Sequence, residues 1–199
     1  MSIKRNPGLR RVVALIGTLA ALAVASVASL APAAESPETT AERRGAGCSL
    51  AAVPVDESTL KDVRRSLRCL INQERAVHGF NRVVRNAPLQ IAAQRHTKTM
   101  VATACLAHRC GHEVDLETRL SRAGYFDGAE SWRYAENTGC GLSSEAMFEN
   151  WMATVYHRVN ILDPEFNDVG IGVSEERVEG RCKKRYGTFT VVFGTRTAP

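Results

Sequence analysis

No acidic residue occurs before Glu35, whereas four basic ones, Lys4, Arg5, Arg10 and Arg11, precede a charge-free run from Val12 to Leu30. Ala31-Pro32-Ala33 then places small residues at the two positions that a signal peptidase reads, so residues 1–33 form a secretory leader. A run of this length can also remain in the bilayer as an anchor, for which roughly 20 apolar residues suffice. Its richness in Ala and Ser and its small-residue ending favour cleavage. Taking the four leader cations from the 26 of the whole chain leaves 22 against 21 acidic residues, so the mature part carries no surplus of positive charge. That removes the basic footprint expected of a nucleic-acid binder. With the leader cleaved, no membrane span is expected.

Other patterns are also missing. No internal repeat occurs, which excludes a repeat array, and the 166 residues after the leader suit one domain around one core, expected as a monomer. His112-Glu113 lacks the H-E-x-x-H spacing that would set two histidines and a base on one helical face. No G-x-S-x-G elbow supports a serine such as Ser143 as a nucleophile.

Cysteine is present in quantity. Cys48, Cys69, Cys105, Cys110, Cys140 and Cys182 all follow the leader, and an even count in an exported chain suggests three disulfides. Spacing alone leaves fifteen pairings open; the working set is Cys48 with Cys69, Cys105 with Cys110, and Cys140 with Cys182. The first would pin the N-terminal arm onto the first helix. Cys105, His108, Cys110 and His112 also spell C-x2-H-x-C-x-H, a local structural-zinc pattern. Four ligands within eight residues leave little chain to wrap a tetrahedron, and in an oxidising compartment the thiols pair instead.

Residues 34–57 show no apolar periodicity and are expected as a flexible arm, with the domain proper at 58–196. Leu60, Val63, Leu67, Leu70 and Ile71 fall at helical spacing before Gly79. A second helix follows Asn86, with Pro88 in its first turn and Leu89, Ala93, His96 and Met100 on one stripe. A short third helix covers Leu116 to Ala123, and Tyr134 to Thr138 has strand character. Ser143 or Ser144 caps a fourth helix with Met147, Phe148, Trp151, Met152 and Val155 on its apolar side. Val169 to Ser174 and Thr188 to Phe193 form a C-terminal β-hairpin. This order predicts an α+β domain whose helices flank a small, mostly antiparallel sheet.

Several of these residues together carry a resemblance. Leu70-Ile71-Asn72-Gln73-Glu74-Arg75 with Gly79, His108, Arg119 with Gly124-Tyr125, Glu136-Asn137, Trp151, His157-Arg158 with Asn160-Ile161-Leu162, Val169-Gly170-Ile171-Gly172 and Val192-Phe193-Gly194 resemble the CAP superfamily, also called the SCP domain, in its bacterial secreted branch. The likeness spans roughly Leu60 to Arg196. It implies a three-layer α-β-α sandwich with a cavity on one face, and in that cavity two histidines and two glutamates that hold a divalent cation in some members. By position, His108 matches the first histidine, Glu136 the glutamate before asparagine and His157 the second histidine. Animal and plant members carry the other glutamate three residues after the helix tryptophan, where this chain has Thr154. Glu149 cannot take its place, because five residues at about 100° each put it about 140° around one continuous helix.

Two histidines and one carboxylate make up an open zinc site that leaves a position for water. Zn2+ or another divalent cation is therefore the cofactor to consider for His108, Glu136 and His157. The same side chains can instead form a metal-free network in which Glu136 sets the imidazole tautomers. A hydrolase would use zinc-bound water, whose pKa can fall to about 7, but no spare carboxylate stands at a spacing suited to a general base. The reading adopted is a secreted or envelope-located, non-catalytic binding module for a small molecule, a lipid, a cell-wall component or a protein. A metal-dependent hydrolase and a disulfide-stiffened envelope scaffold are the alternatives.

Overall fold

The computed structural model describes residues 48–198. The expected leader and residues 34–47 of the expected arm lie outside them. Helix α1 (Leu60–Val77) is capped by Thr59, whose side chain accepts the Asp62 amide, and it ends just before Gly79. A two-residue strand, β1 (Val84–Arg85), leads into α2 (Ala87–Ala102), capped by Asn86 with Pro88 in its first turn. Helix α3 (Leu116–Arg122) follows, capped by Asp115. Strand β2 (Ser131–Gly141) precedes α4 (Ser144–Ala153), and Ser143 rather than Ser144 supplies the cap. Helix α5 (Val155–Ile161) and the hairpin β3 (Asp168–Ser174) and β4 (Gly187–Thr197) complete the chain.

The sheet has four strands in the order β1-β3-β4-β2. β4 runs antiparallel to both neighbours, whereas β1 lies parallel to β3, so the sheet is mixed. The parallel pair follows from topology: α2 carries the chain from β1 across one face, and the return to β3 comes much later. Two residues leave too little periodicity for sequence alone to show β1.

Alternation along β4 makes the three layers. Phe189, Val191 and Phe193 point to the face covered by α1, α4 and α5, where Leu67, Leu70, Ile71, Phe148, Trp151 and Ile161 complete the core. Val192 points to the other face, with Leu89, Ala93, Leu120, Tyr125 and Tyr134. On β3, Val169, Ile171 and Val173 face the first layer while Gly170 and Gly172 face α2. A Cβ on Gly170 would lie 2.1 Å from the Leu89 carbonyl carbon, and one on Gly172 would lie 2.4 Å from the Ala93 carbonyl oxygen. The glycines thus let the α2 backbone rest directly on the sheet, and Gln90 and Gln94 reach from α2 to the β3 carbonyls of Ile171 and Val173.

Three departures from expectation have physical causes. Residues 48–57, assigned to the arm, are packed: Cys48, Ala51 and Val55 are buried, Val55–Glu57 forms a 3-10 turn, and the Val55 amide donates to the Leu142 carbonyl. Few apolar residues suffice there because the Cys48–Cys69 disulfide holds the segment against α1. The second departure is at Thr154, whose extended backbone ends α4 and starts α5, leaving Val155 exposed instead of on an apolar stripe. The third is β2, which extends well beyond Tyr134–Thr138 because it pairs with β4 along its full length.

Buried polar ties hold the loops. Arg75 is fully buried and donates to the carbonyls of Asn81, Ile161, Asp163 and Phe166, while Asn72 exchanges two hydrogen bonds with the backbone of Val83. Each bond satisfies a carbonyl or amide that would otherwise be stranded away from water. Disulfides join Cys105 to Cys110 and Cys140 to Cys182, completing the expected set. With both thiols oxidised, the C-x2-H-x-C-x-H stretch has no thiolate to offer a metal.

Candidate functional site

A pocket of about 380 Å³ opens beside strand β2 and is lined by His108, Glu136, Thr154, Tyr156, His157 and Asn160. All four cavity positions expected from the sequence therefore share one wall, although they come from three separate segments. His108 sits on the tight loop closed by the Cys105–Cys110 disulfide, and Arg119 Nη2 donates to its carbonyl at 2.9 Å. Glu136 is mid-strand in β2, opposite Val192. Thr154 and His157 flank the start of α5, which Asn160 and Asn137 tie to β2: Asn160 Nδ2 donates to Asn137 Oδ1 at 2.8 Å, and Asn137 Nδ2 to the His157 carbonyl at 3.0 Å. Glu149 lies exposed on α4 and Ser143 is the α4 cap, and neither lines the pocket.

Glu136 is the centre of the electrostatics. Its side chain is 1% exposed. His108 Nδ1 donates to its Oε1 at 3.0 Å, while Arg119 grips both oxygens, Nη1 to Oε2 at 2.9 Å and Nη2 to Oε1 at 3.2 Å. His96 Nε2 stands 3.8 Å from Oε1. Burial alone would raise the pKa of this carboxyl. The hydrogen bond from His108, the Arg119 guanidinium and the nearby His96 outweigh burial and hold the group below the usual carboxylate range.

Two members of this network were hidden in the sequence. His96 falls on the core-facing stripe of α2 and has no exposed surface; its Nδ1 meets Glu113 Oε2 at 2.7 Å and its Nε2 meets the Ala107 carbonyl at 3.0 Å. Arg119, noticed only as part of a family pattern, turns out to be the cation beneath Glu136. A histidine or arginine at a core-facing position demands a buried partner, and that demand is the signal that could have led to both.

His157 behaves differently. Burial, and then the neighbouring His108, lower its pKa. Its Nδ1 is buried without a hydrogen-bond partner, and its ring meets the Trp151 indole edge-on at 6.4 Å. Trp151 itself is fully buried and donates Nε1–H to the Thr138 carbonyl at 3.2 Å, a core role.

The donor set differs from an open zinc site in two respects. Both Glu136 oxygens already face the Arg119 guanidinium, so a divalent ion there would sit against a fixed positive charge. Ligation by His157 through Nε2 would put a proton on Nδ1, where no acceptor waits, whereas metal-bound histidines donate that proton to a partner. Among the described residues no three His, Cys, Asp or Glu side chains are grouped to hold a metal ion.

Fold and pocket together define a three-layer sandwich of α-β-α type with a histidine-lined cleft at one sheet edge. The family described as "CAP: Cysteine-rich secretory protein family" matches residues 69–193, and the chain belongs to it. Among solved structures, an extracellular SCP-domain protein from Bacillus anthracis aligns with a TM-score of 0.54 at 20% identity, over 68% of this chain and 43% of that one. An outer surface protein from Borrelia burgdorferi aligns with a TM-score of 0.59 at 14% identity, over 70% of this chain and 97% of that one. A cysteine-rich secretory protein from Staphylococcus aureus gives 0.50 at 17% identity, over 70% and 40%. The chain thus spans less than half the length of the Bacillus and Staphylococcus proteins. No curated protein matches it. Among the described residues no helix is long and apolar enough to cross a membrane.

Proposed function

We propose that this CAP protein is an exported, non-catalytic binding module whose β2-edge pocket takes a small or lipidic ligand from the cell envelope. The observation that carries the reading is the occupation of Glu136 by Arg119 and His108. A carboxylate held in this way is neither a free general base nor a free anionic ligand. What remains for a ligand is the outer part of His108, whose side chain is 47% exposed, together with the Thr154 hydroxyl and the ring of Tyr156, which is 70% exposed. Such a rim suits a molecule with a few hydrogen-bonding groups and an apolar body. The extracellular and outer-surface relatives and the leader expected at residues 1–33 support export.

Native mass spectrometry of protein from the producing organism tests this. A non-covalent ligand should accompany the wild-type chain and be lost from a His108→Ala variant of unchanged near-ultraviolet circular dichroism. Spectra without any such ligand would replace the binding module with the scaffold reading. Zinc titration near neutral pH adds a second arm: uptake abolished by both His108→Ala and His157→Ala would establish a metal site instead, and uptake unaffected by either would eliminate it.

A further inference from the structure

A second groove, of about 460 Å³, lies at the opposite edge of the sheet and is walled by Lys61, Arg64, Arg65 and Arg68 of α1 and by Arg85 of β1. The α1 residues recur at the spacing of one helical face, and Arg82 adds a sixth cation whose field reaches Arg68. No carboxylate among the described residues pairs with any of the six; the one in-line acid, Asp62, turns toward the helix start and accepts from the Thr59 hydroxyl at 2.6 Å. Arg64 spends one donor on Gln94 Oε1 at 3.3 Å and keeps the rest of its fork. Arg64 and Arg68 are partly buried, and both are pushed down from the ordinary guanidinium range by burial first and by Arg85 second. Val169, Ile171 and the Gln90 amide form the remaining wall.

Like charges crowded in a concavity with no counter-charge raise the energy of the folded state, and an anion that enters relieves it. Guanidinium forks match phosphate oxygens in pairs. The span of several cations asks for more than one phosphate, and the groove volume falls in the range of small-ligand sites. We infer that the groove between α1 and the β1 edge binds a ligand bearing clustered phosphate groups, at a site separate from the histidine pocket.

The probe is sodium tripolyphosphate, titrated calorimetrically into the purified full chain at low salt. One equivalent should bind and raise the Tm, since a ligand of the folded state alone stabilises it. Arg64→Gln with Arg68→Gln should weaken binding by roughly tenfold or more, and added salt should weaken what remains. Arg177→Gln removes an arginine already paired with Glu179 and should change nothing. Vesicles of phosphatidylglycerol in phosphatidylcholine identify the source: binding that tripolyphosphate displaces puts the phosphate on a lipid headgroup, and its absence beside tight tripolyphosphate binding puts it on a soluble compound. The inference is overturned if tripolyphosphate gives neither heat nor a Tm shift, if the double variant binds it as tightly as wild type, or if duplex DNA binds while tripolyphosphate does not.

Discussion

At the β2 edge, Glu136 is buried among Arg119, His108 and His96, and Arg119 and His108 bond to its carboxylate oxygens. At the β1 edge, Lys61, Arg64, Arg65, Arg68 and Arg85 surround a groove with no carboxylate among them. One sheet therefore carries two solutions to the same electrostatic constraint. Charge taken out of water must be paired, because an isolated buried ion costs several kcal/mol. Charge left in a wet groove can stay unpaired at a cost that water and salt keep small, and this leaves the groove free to attract an anion. The first arrangement builds and orients; the second awaits a partner.

The sharpest way to break the contrast is to unpair the buried side. Arg119→Leu leaves the Glu136 carboxylate without its guanidinium and should destabilise the fold by about 3–5 kcal/mol in urea denaturation. Adding Glu136→Gln to it should recover much of that loss, because the stranded charge is gone. A loss below about 1 kcal/mol in the single variant would show that the β2 edge is as tolerant as the β1 edge. Next in size is the Cys105–Cys110 disulfide, which shapes the loop that carries His108. Converting both cysteines to serine should cost about 2 kcal/mol by loop entropy, together with a loss of chemical-shift dispersion at the His108 imidazole. An unmoved His108 signal would mean that the Arg119 bond to its carbonyl is enough to place it.

The sequence made one edge much easier to read than the other. Helix caps at Asn86 and Ser143, the period change into β3 and β4, and the V-G-I-G run were legible because each is local chemistry. His108, Glu136 and His157 were legible because they stand at spacings that a family resemblance could match. Arg119 and His96 were obscured because their partners lie 17 and 17 or 40 residues away, at Glu136 for Arg119 and at Glu113 and Glu136 for His96. The break at Thr154 was missed because Val155 continues the apolar periodicity while the backbone turns. The basic groove was hidden by arithmetic: the near-neutral balance of residues 34–199 gives no hint that six cations converge, although positions 61, 64, 65 and 68 already share a helical face.

A proton titration sharpens the buried side further. The folded pKa of His157 lies below its unfolded value near 6.5, so the unfolded chain binds the extra proton first as pH falls. Its contribution to stability is therefore flat above about pH 6.5 and declines below it until the folded pKa is passed. Glu136, lowered from 4.5, contributes stability that is present above about pH 4.5 and is lost only as pH falls through its folded value. The two losses set in at different pH, that of His157 first as pH falls. Comparing Tm at about pH 7.5 and about pH 5.5, wild type should lose more than His157→Gln does. Equal losses would assign the pH response to other groups.

The smallest effect belongs to the groove and has the opposite sign to the first. Removing one of the crowded cations, by Arg68→Gln, takes away repulsion from Arg85, Arg82 and Arg65. Because Arg68 is only partly buried and its groove admits water and salt, the gain should be about 0.5 kcal/mol or less, seen as a slightly raised Tm at low salt. Raising the salt should lift the wild-type Tm toward that of the variant, since screening removes the same repulsion that the substitution removes. A Tm that falls instead would mean that the stem of Arg68 packs usefully against the groove wall. The charge there would then be held by contacts of its own, and the two edges would differ in exposure but not in kind.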